Sequence, residues 1–338
     1  MRVDPGHRMM ERRTFLGVIT GGLLAAPLAA EAQQAGKVWR IGYLMEGPNF
    51  RLYPELPSNR FVESLRNLGY VEGQNLVLEH RYADNKTERI PGFAAELVRL
   101  KVDLIVTVGT RETIAVKAVT STIPIVMLLV GDPVGAGLVS SLSHPGANVT
   151  GTSIMAPDVS GKRLELLREI VPKLRRVAIL ANPRNASTAA DMRSAEAAAR
   201  SLGLTVYFVE VDSAPRLGAA LGDMALGGPD GVLVLQDTLI FSHRHEIAGA
   251  FLRARLPSVF MGSAYVTSGG LLGYGPDLRA IAGRAAIYVD RILKGARPGD
   301  LPIEQPTKFE LTINLKTAKA LGLTIPPSLL QRADQVIE

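Results

Sequence analysis

The chain has no cysteine, which excludes disulfides, thiol catalysis, thiolate metal sites and a lipid-modified cysteine anchor. It has a single tryptophan, and aromatics make up only 5% of its residues. Lys and Arg number 38 against 32 Asp and Glu. The basic residues are scattered among acids along expected helices, with no basic block and few aromatics to interleave. The excess therefore reads as a solvated surface and not as a nucleic-acid or membrane footprint. Complete nucleotide loops are also missing. Gly135-Ala136-Gly137 is followed by Ser140 where a dinucleotide fingerprint needs its third glycine, and no Lys-Ser/Thr pair follows to make a P-loop. Without a G-x-S-x-G elbow or a Ser/His/acid trio, hydrolase chemistry lacks a nucleophile. His243 and His245 are two apart with Arg244 between them, so they share no helical face and a cation is opposed. No metal, cofactor or catalytic step is expected. Glu165 and Glu169 stand at helical spacing and read as a solvated face.

The N-terminus is informative. Residues 11–17 read ERRTFLG, an uncharged and mostly apolar run continues to Ala30, and Ala30-Glu31-Ala32 gives an A-x-A cleavage pattern. This is an export signal, and its apolar run is shorter than the roughly 20 residues that span a bilayer. Arg12 and Arg13 read either as a twin-arginine signal or as an ordinary basic n-region. Cleavage after Ala32 leaves a periplasmic chain that starts at Gln33 and has no membrane anchor.

About 306 mature residues exceed what one core usually accommodates, so two domains are expected. Beyond Lys37, short apolar runs alternate with amphipathic segments, as in βα units. Strands are expected at residues 40–45, 76–79, 103–108, 125–130 and 149–154. A second series places them at 176–181, 204–209, 231–235 and 258–261. Unbroken runs such as Val177-Ala178-Ile179-Leu180 mark strands covered on both faces. The expected fold is α/β, with two Rossmann-like lobes of parallel sheet. Ligands of such sheets sit beyond the carboxyl ends of the strands, where this sequence concentrates small polar residues.

One stretch is recognisable at this point. GDPVGAGLVSSLSHPGANVTG resembles the D-P-V-x-x-G-L-V…P-G-x-N-V-T-G signature of the substrate-binding proteins of ABC transporters. That family has the type 1 periplasmic-binding-protein fold and includes receptors for tryptophan and other aromatic amino acids. IGYLMEG, FVESLRNLGYVEGQNLVLEHRYAD, VDLIVTVGT and the long closing segment from GGLLGYGPDLR onward are similar to the family too, so the likeness covers almost the whole mature chain. It implies two lobes joined by a multi-strand hinge, closure on a small solute, and delivery to ABC permease membrane subunits, with a monomer assumed. The first lobe is expected at 37–156 and about 272–300, the second at 157–271 and about 301–338. The ligand expected is a small polar molecule, an amino acid or related carboxylate. The rival readings are a sensory binding protein, which presents its closed form to a membrane receptor, and a periplasmic α/β enzyme using the same cleft.

The candidate ligand residues follow from the strand ends. Met45 closes the first strand. Gly109 and Thr110 open a helix, where a hydroxyl and free N–H groups suit a carboxylate; Thr110 is equally placed as a plain N-cap. Asp132 reads either as an ammonium partner or as the cap of a short helix near 134–142. Gly137 and Gly146 read as turn devices. In the second lobe Asn182, Asn185 and Ser187 form an N-P-x-N segment at a helix start, Asp237 and Thr238 end a strand, and Tyr265 is placed to stack on a ligand or to pack.

Overall fold

The computed structural model describes residues 37–53 and 56–338. The expected export signal and its cleavage site lie outside the described residues. Among the described residues no helix is long and apolar enough to cross a membrane.

The first lobe alternates strands β1 (Trp39–Met45), β2 (Leu76–Tyr82), β3 (Leu104–Val108), β4 (Ile125–Val130) and β5 (Val149–Ser153) with helices α1 (Pro57–Asn67), α2 (Ile90–Arg99) and α3 (Thr110–Val119). The strands form a parallel sheet in the order β2-β1-β3-β4-β5. All five residues of β3 are buried, as expected for a strand with helices on both faces. Residues 134–142 form turns and no helix.

The second lobe begins with α4 (Ala156–Ile170), β6 (Arg176–Ala181) and α5 (Thr188–Ser201), followed by β7 (Thr205–Glu210), α6 (Ala214–Leu226) and β8 (Gly231–Val234). Then come α7 (Thr238–Ser242), α8 (Arg244–Arg253), β9 (Ser258–Phe260), α9 (Ser263–Thr267), β10 (Leu272–Pro276) and α10 (Leu278–Leu293). The chain closes with β11 (Phe309–Asn314), α11 (Leu315–Ala320), α12 (Pro327–Arg332) and β12 (Gln335–Ile337). Its seven-stranded sheet runs β12-β11-β10-β9-β8-β6-β7. Only the β10–β11 pair is antiparallel.

The chain crosses between lobes three times. The first crossing follows β5. The second falls between Pro276 and Leu278: β10 belongs to the second sheet, whereas Ala282, Ala285, Ala286 and Val289 of α10 pack with Phe61 and Leu65 of α1 in the first core. The return to the first lobe expected from about 272 therefore starts later, with α10. It also lasts past residue 300. Leu301 accepts a hydrogen bond from Thr150 Oγ1 at 2.8 Å, and the Ile303 and Glu304 N–H groups donate to Leu142 and Gly151. Chain order could not show this, because an apolar run such as Leu271-Leu272 suits either sheet.

Two backbone features shape the hinge side of the first lobe. The β4–β5 register shifts between Met127 and Val130, and Leu129 in this bulge has φ 56°. A bulge re-aims a side chain, and Leu129 faces the interlobe space. Opposite it, Gly151 has φ 132°, and a Cβ there would lie 2.2 Å from the Met127 carbonyl oxygen. Only glycine fits that position.

Candidate ligand-binding cleft

The carboxyl edges of the two sheets face each other across a cleft enclosing about 740 Å³, counting its mouth. Both lobes supply its walls. Met45 ends β1, Val108 and Gly109 lead into α3, and Gly131 follows β4. From the second lobe come Asn185, Ser187, Thr188 and Asp191 around the start of α5, and Gln236, Asp237 and Thr238 after β8.

The starts of α3 and α5 meet across the cleft. Thr110 Oγ1 lies 2.8 Å from Ser187 Oγ, both residues are buried, and the pair links the two lobes. Ser187 Oγ also accepts from the Asp132 N–H at 3.2 Å. Neither helix is capped by a side chain at its N-cap position, so their leading N–H groups and positive dipole ends point toward the same space. Thr188 is 3% exposed, and its Oγ1 has no hydrogen-bond partner among the described residues. These groups suit a carboxylate or another anionic oxygen.

Gly109 is held in place by its neighbours. It has φ 112°, and a Cβ would come within 2.8 Å of Glu112 Oε2. The Glu112 carboxylate accepts the Glu46 N–H at 2.7 Å, and Arg111 Nη1 reaches both Glu46 oxygens at 2.5 and 2.6 Å. Burial raises the pKa of both acids; Arg111 opposes the shift at Glu46, and for Glu112 the Glu46 charge adds to it. This cluster ties the loop after β1 to the start of α3 and so fixes the wall carrying Met45, Gly109 and Thr110.

Seven of the ten expected ligand residues line the cleft: Met45, Gly109, Thr110, Asn185, Ser187, Asp237 and Thr238. Asp132, Asn182 and Tyr265 do not line it. The Asp132 side chain accepts the Gly135 N–H at 2.8 Å, closing a turn. Asn182 is buried and donates to Asp237 Oδ1 at 3.0 Å. Asp237 is itself heavily engaged, accepting also from Asn185 Nδ2 at 3.1 Å and from the Leu239 and Ile240 N–H groups at the start of α7. Tyr265 is 1% exposed and stacks on Phe260 with ring centroids 4.9 Å apart, edge-on to Phe241. Its place is in the second-lobe core, and burial drives its hydroxyl pKa upward.

Several lining residues carry no sequence signal of their own. Leu56, Pro57 and Ser58 enter from the start of α1, Phe241 from α7, and Ile154 and Leu278 from two of the crossings. Together with Leu129 they give the cleft an apolar flank beside its polar helix starts. The aromatic side chain in the cleft is Phe241, one turn beyond the expected Asp237-Thr238 pair. Asp191, one turn into α5, also lines the cleft and carries no sequence signal of its own.

A profile of the family described as ABC transporter substrate binding protein matches residues 57–337. The chain is 28% identical over 284 residues to a tyrosine-binding protein of Clostridioides difficile (strain R20291), covering 84% of this chain and 80% of that one. An ABC domain from Streptococcus pneumonia in complex with L-Trp superposes with a TM-score of 0.82 at 27% identity, over 88% of this chain and 99% of the other. The ligand-free, open structure of a substrate-binding protein with adhesive properties from Clostridium difficile gives 0.63 at 25% identity, over 89% and 99%.

Proposed function

The chain belongs to the ABC transporter substrate binding protein family, and on that premise we propose that its solute is an amino acid with an apolar or aromatic side chain. Membership makes it an extracytoplasmic binding protein, with no catalytic step, that takes a small polar ligand between its lobes and works with ABC permease components. The observation that carries the solute assignment is the composition of the cleft. Two helix starts, the Thr188 hydroxyl and whichever of the paired Thr110 and Ser187 hydroxyls does not donate to the other offer donors to a carboxylate, while Leu129, Ile154, Phe241 and Leu278 offer apolar contact to a side chain. Relatives that take tyrosine and L-Trp agree with this reading.

Capture works by population shift. The Thr110–Ser187 contact is made only when the lobes approach, so ligand groups that touch both walls favour the closed form. The higher likeness to the L-Trp complex than to the open relative supports a closed disposition of the lobes. Met45, Gly109, Thr110, Asn185, Ser187 and Thr238 are the ligand contacts in this reading; Asn182 and Asp237 brace the wall, Asp132 closes a turn, and Tyr265 packs. The three crossings form the hinge, the protein acts as a monomer, and the export signal is removed after Ala32.

The test is thermal unfolding of residues 33–338, denatured and refolded to remove carried-over solute, against amino acids, aromatic acids, purines and dicarboxylates. A ligand at 100 times its dissociation constant adds about 2.7 kcal/mol. Aromatic or large apolar amino acids raising the midpoint while purines and dicarboxylates do not is the expected result. A shift by another class alone would replace the solute assignment.

A further inference from the structure

Arg163 is the largest fully buried side chain among the described residues. It sits mid-way along α4, where its neighbours Leu164, Leu166 and Leu167 are core leucines. Its Nε donates to the Tyr274 carbonyl at 2.9 Å, but Nη1 and Nη2 are buried with no hydrogen-bond partner among the described residues. Burying a guanidinium with unpaired donors is costly, and a leucine at this place would pack. The charge therefore needs a use. Burial works against its protonated form, and the strongest opposing charge is Asp191, followed by the Tyr265 and Tyr274 hydroxyls.

Asp191 connects Arg163 to the cleft. It is 2% exposed and lines the cleft one turn after Thr188 on α5. Ser160, one turn before Arg163 on α4, donates its hydroxyl to Asp191 Oδ1. The other cleft carboxylate, Asp237, already accepts four hydrogen bonds from its own lobe. Of the two, Asp191 is the one backed by a cation.

Resting on the amino-acid reading above, we propose that Asp191 receives the ammonium group of the ligand and that Arg163, with Ser160, is its positioning residue. Arg163 never touches the solute. Its charge, one layer behind the wall, favours the ionised form of Asp191, while the Ser160 hydroxyl fixes the orientation of the carboxylate. Among the groups that act on Asp191 are the Ser160 hydroxyl, which donates to it, and the Arg163 charge one turn further along α4.

The experiment titrates refolded residues 33–338 calorimetrically with L-tryptophan, L-tyrosine and L-phenylalanine, and with 3-indolepropionate, which keeps the carboxylate and ring but lacks the ammonium. Failure of all three amino acids to bind would overturn the zwitterion reading and this assignment together. If at least one binds, Asp191→Asn weakens that amino acid at least tenfold and leaves the affinity for 3-indolepropionate within about twofold. Arg163→Met weakens the amino acid by a similar factor at pH 6 and recovers as pH rises, because the acid limb of its affinity profile moves upward; Arg163→Lys falls between. If Arg163→Met does not fold, Arg163→Lys and Ser160→Ala decide, and each must move the same limb. Variants that lose thermal stability while keeping the wild-type pH profile and the wild-type preference for amino acid over 3-indolepropionate would assign Arg163 to structure alone.

Discussion

Ser187→Ala tests the link between the lobes. In the closed form Ser187 Oγ serves two first-lobe groups, the Thr110 hydroxyl at 2.8 Å and the Asp132 N–H at 3.2 Å. Alanine removes one net hydrogen bond, about 1 kcal/mol, and leaves a mostly buried N–H unpaired, about another 1 kcal/mol. In the open form water reaches both groups, so this penalty falls on the closed form, and any hydrogen bond that Ser187 makes to the ligand adds to it. About 2 kcal/mol is roughly thirtyfold in the closed-to-open ratio, and solute affinity should fall by that factor. The unfolding midpoint of the solute-free open protein should move little. Calorimetric titration gives the affinity, and small-angle scattering with and without solute follows the contraction on closure. Wild-type affinity and an unchanged contraction in the variant would refute the idea that this contact belongs to closure. An equal loss in solute-free stability would show instead that Ser187 supports the lobe that carries it.

Three other outcomes follow from named contacts. Burial raises the pKa of Glu46 and Glu112 above the ordinary value of 4.5, so the folded chain holds protons that the unfolded chain has released. The pair's contribution is therefore largest at and below the ordinary carboxylate range and is lost as pH rises through neutrality. The midpoint should drop more between pH 5.5 and 8.5 in the wild type than in Glu112→Gln, and equal drops would count against a protonated buried Glu112. Gly151→Ala should cost at least about 3 kcal/mol in thermal or urea unfolding, because its Cβ would lie 2.2 Å from a carbonyl oxygen at positive φ; a loss under about 1 kcal/mol would show that the β4 bulge relaxes easily. Asp237→Ala should lower solute-free stability by about 2 to 3 kcal/mol, having removed the cap of α7 and the acceptor of two asparagine amides. A variant of wild-type stability with weakened solute binding would return Asp237 to the ligand.

The chain order of βα units and the polar strand ends were legible because both rest on local pattern. β4 and β6 occupy the expected residues, 125–130 and 176–181, since a strand buried on both faces must be apolar throughout. Thr110 and Ser187 were legible as helix-start hydroxyls. Their meeting across 77 residues of sequence was not. Tyr265 shows the opposite limit. A tyrosine after a strand suits a ligand stack or a core stack equally, and only the position of Phe260 decides between them. Phe241 and Leu278 carried no signal because an apolar residue in a helix reads as core, whichever surface the tertiary fold turns it toward. Arg163 was hidden in the same way: a charged residue in an amphipathic segment reads as solvated until the packing encloses it.

By itself the sequence determined the α/β class, the two-lobe plan and the family, because periodicity, strand-end chemistry and ordered motifs are properties of neighbouring residues. The lobe to which β10 and α10 belong, the pairing of Thr110 with Ser187, and the burial of Arg163 behind Asp191 were decided only by tertiary structure. Each depends on which surfaces remain to be covered once both sheets have formed, and that is settled by packing between segments far apart in the chain.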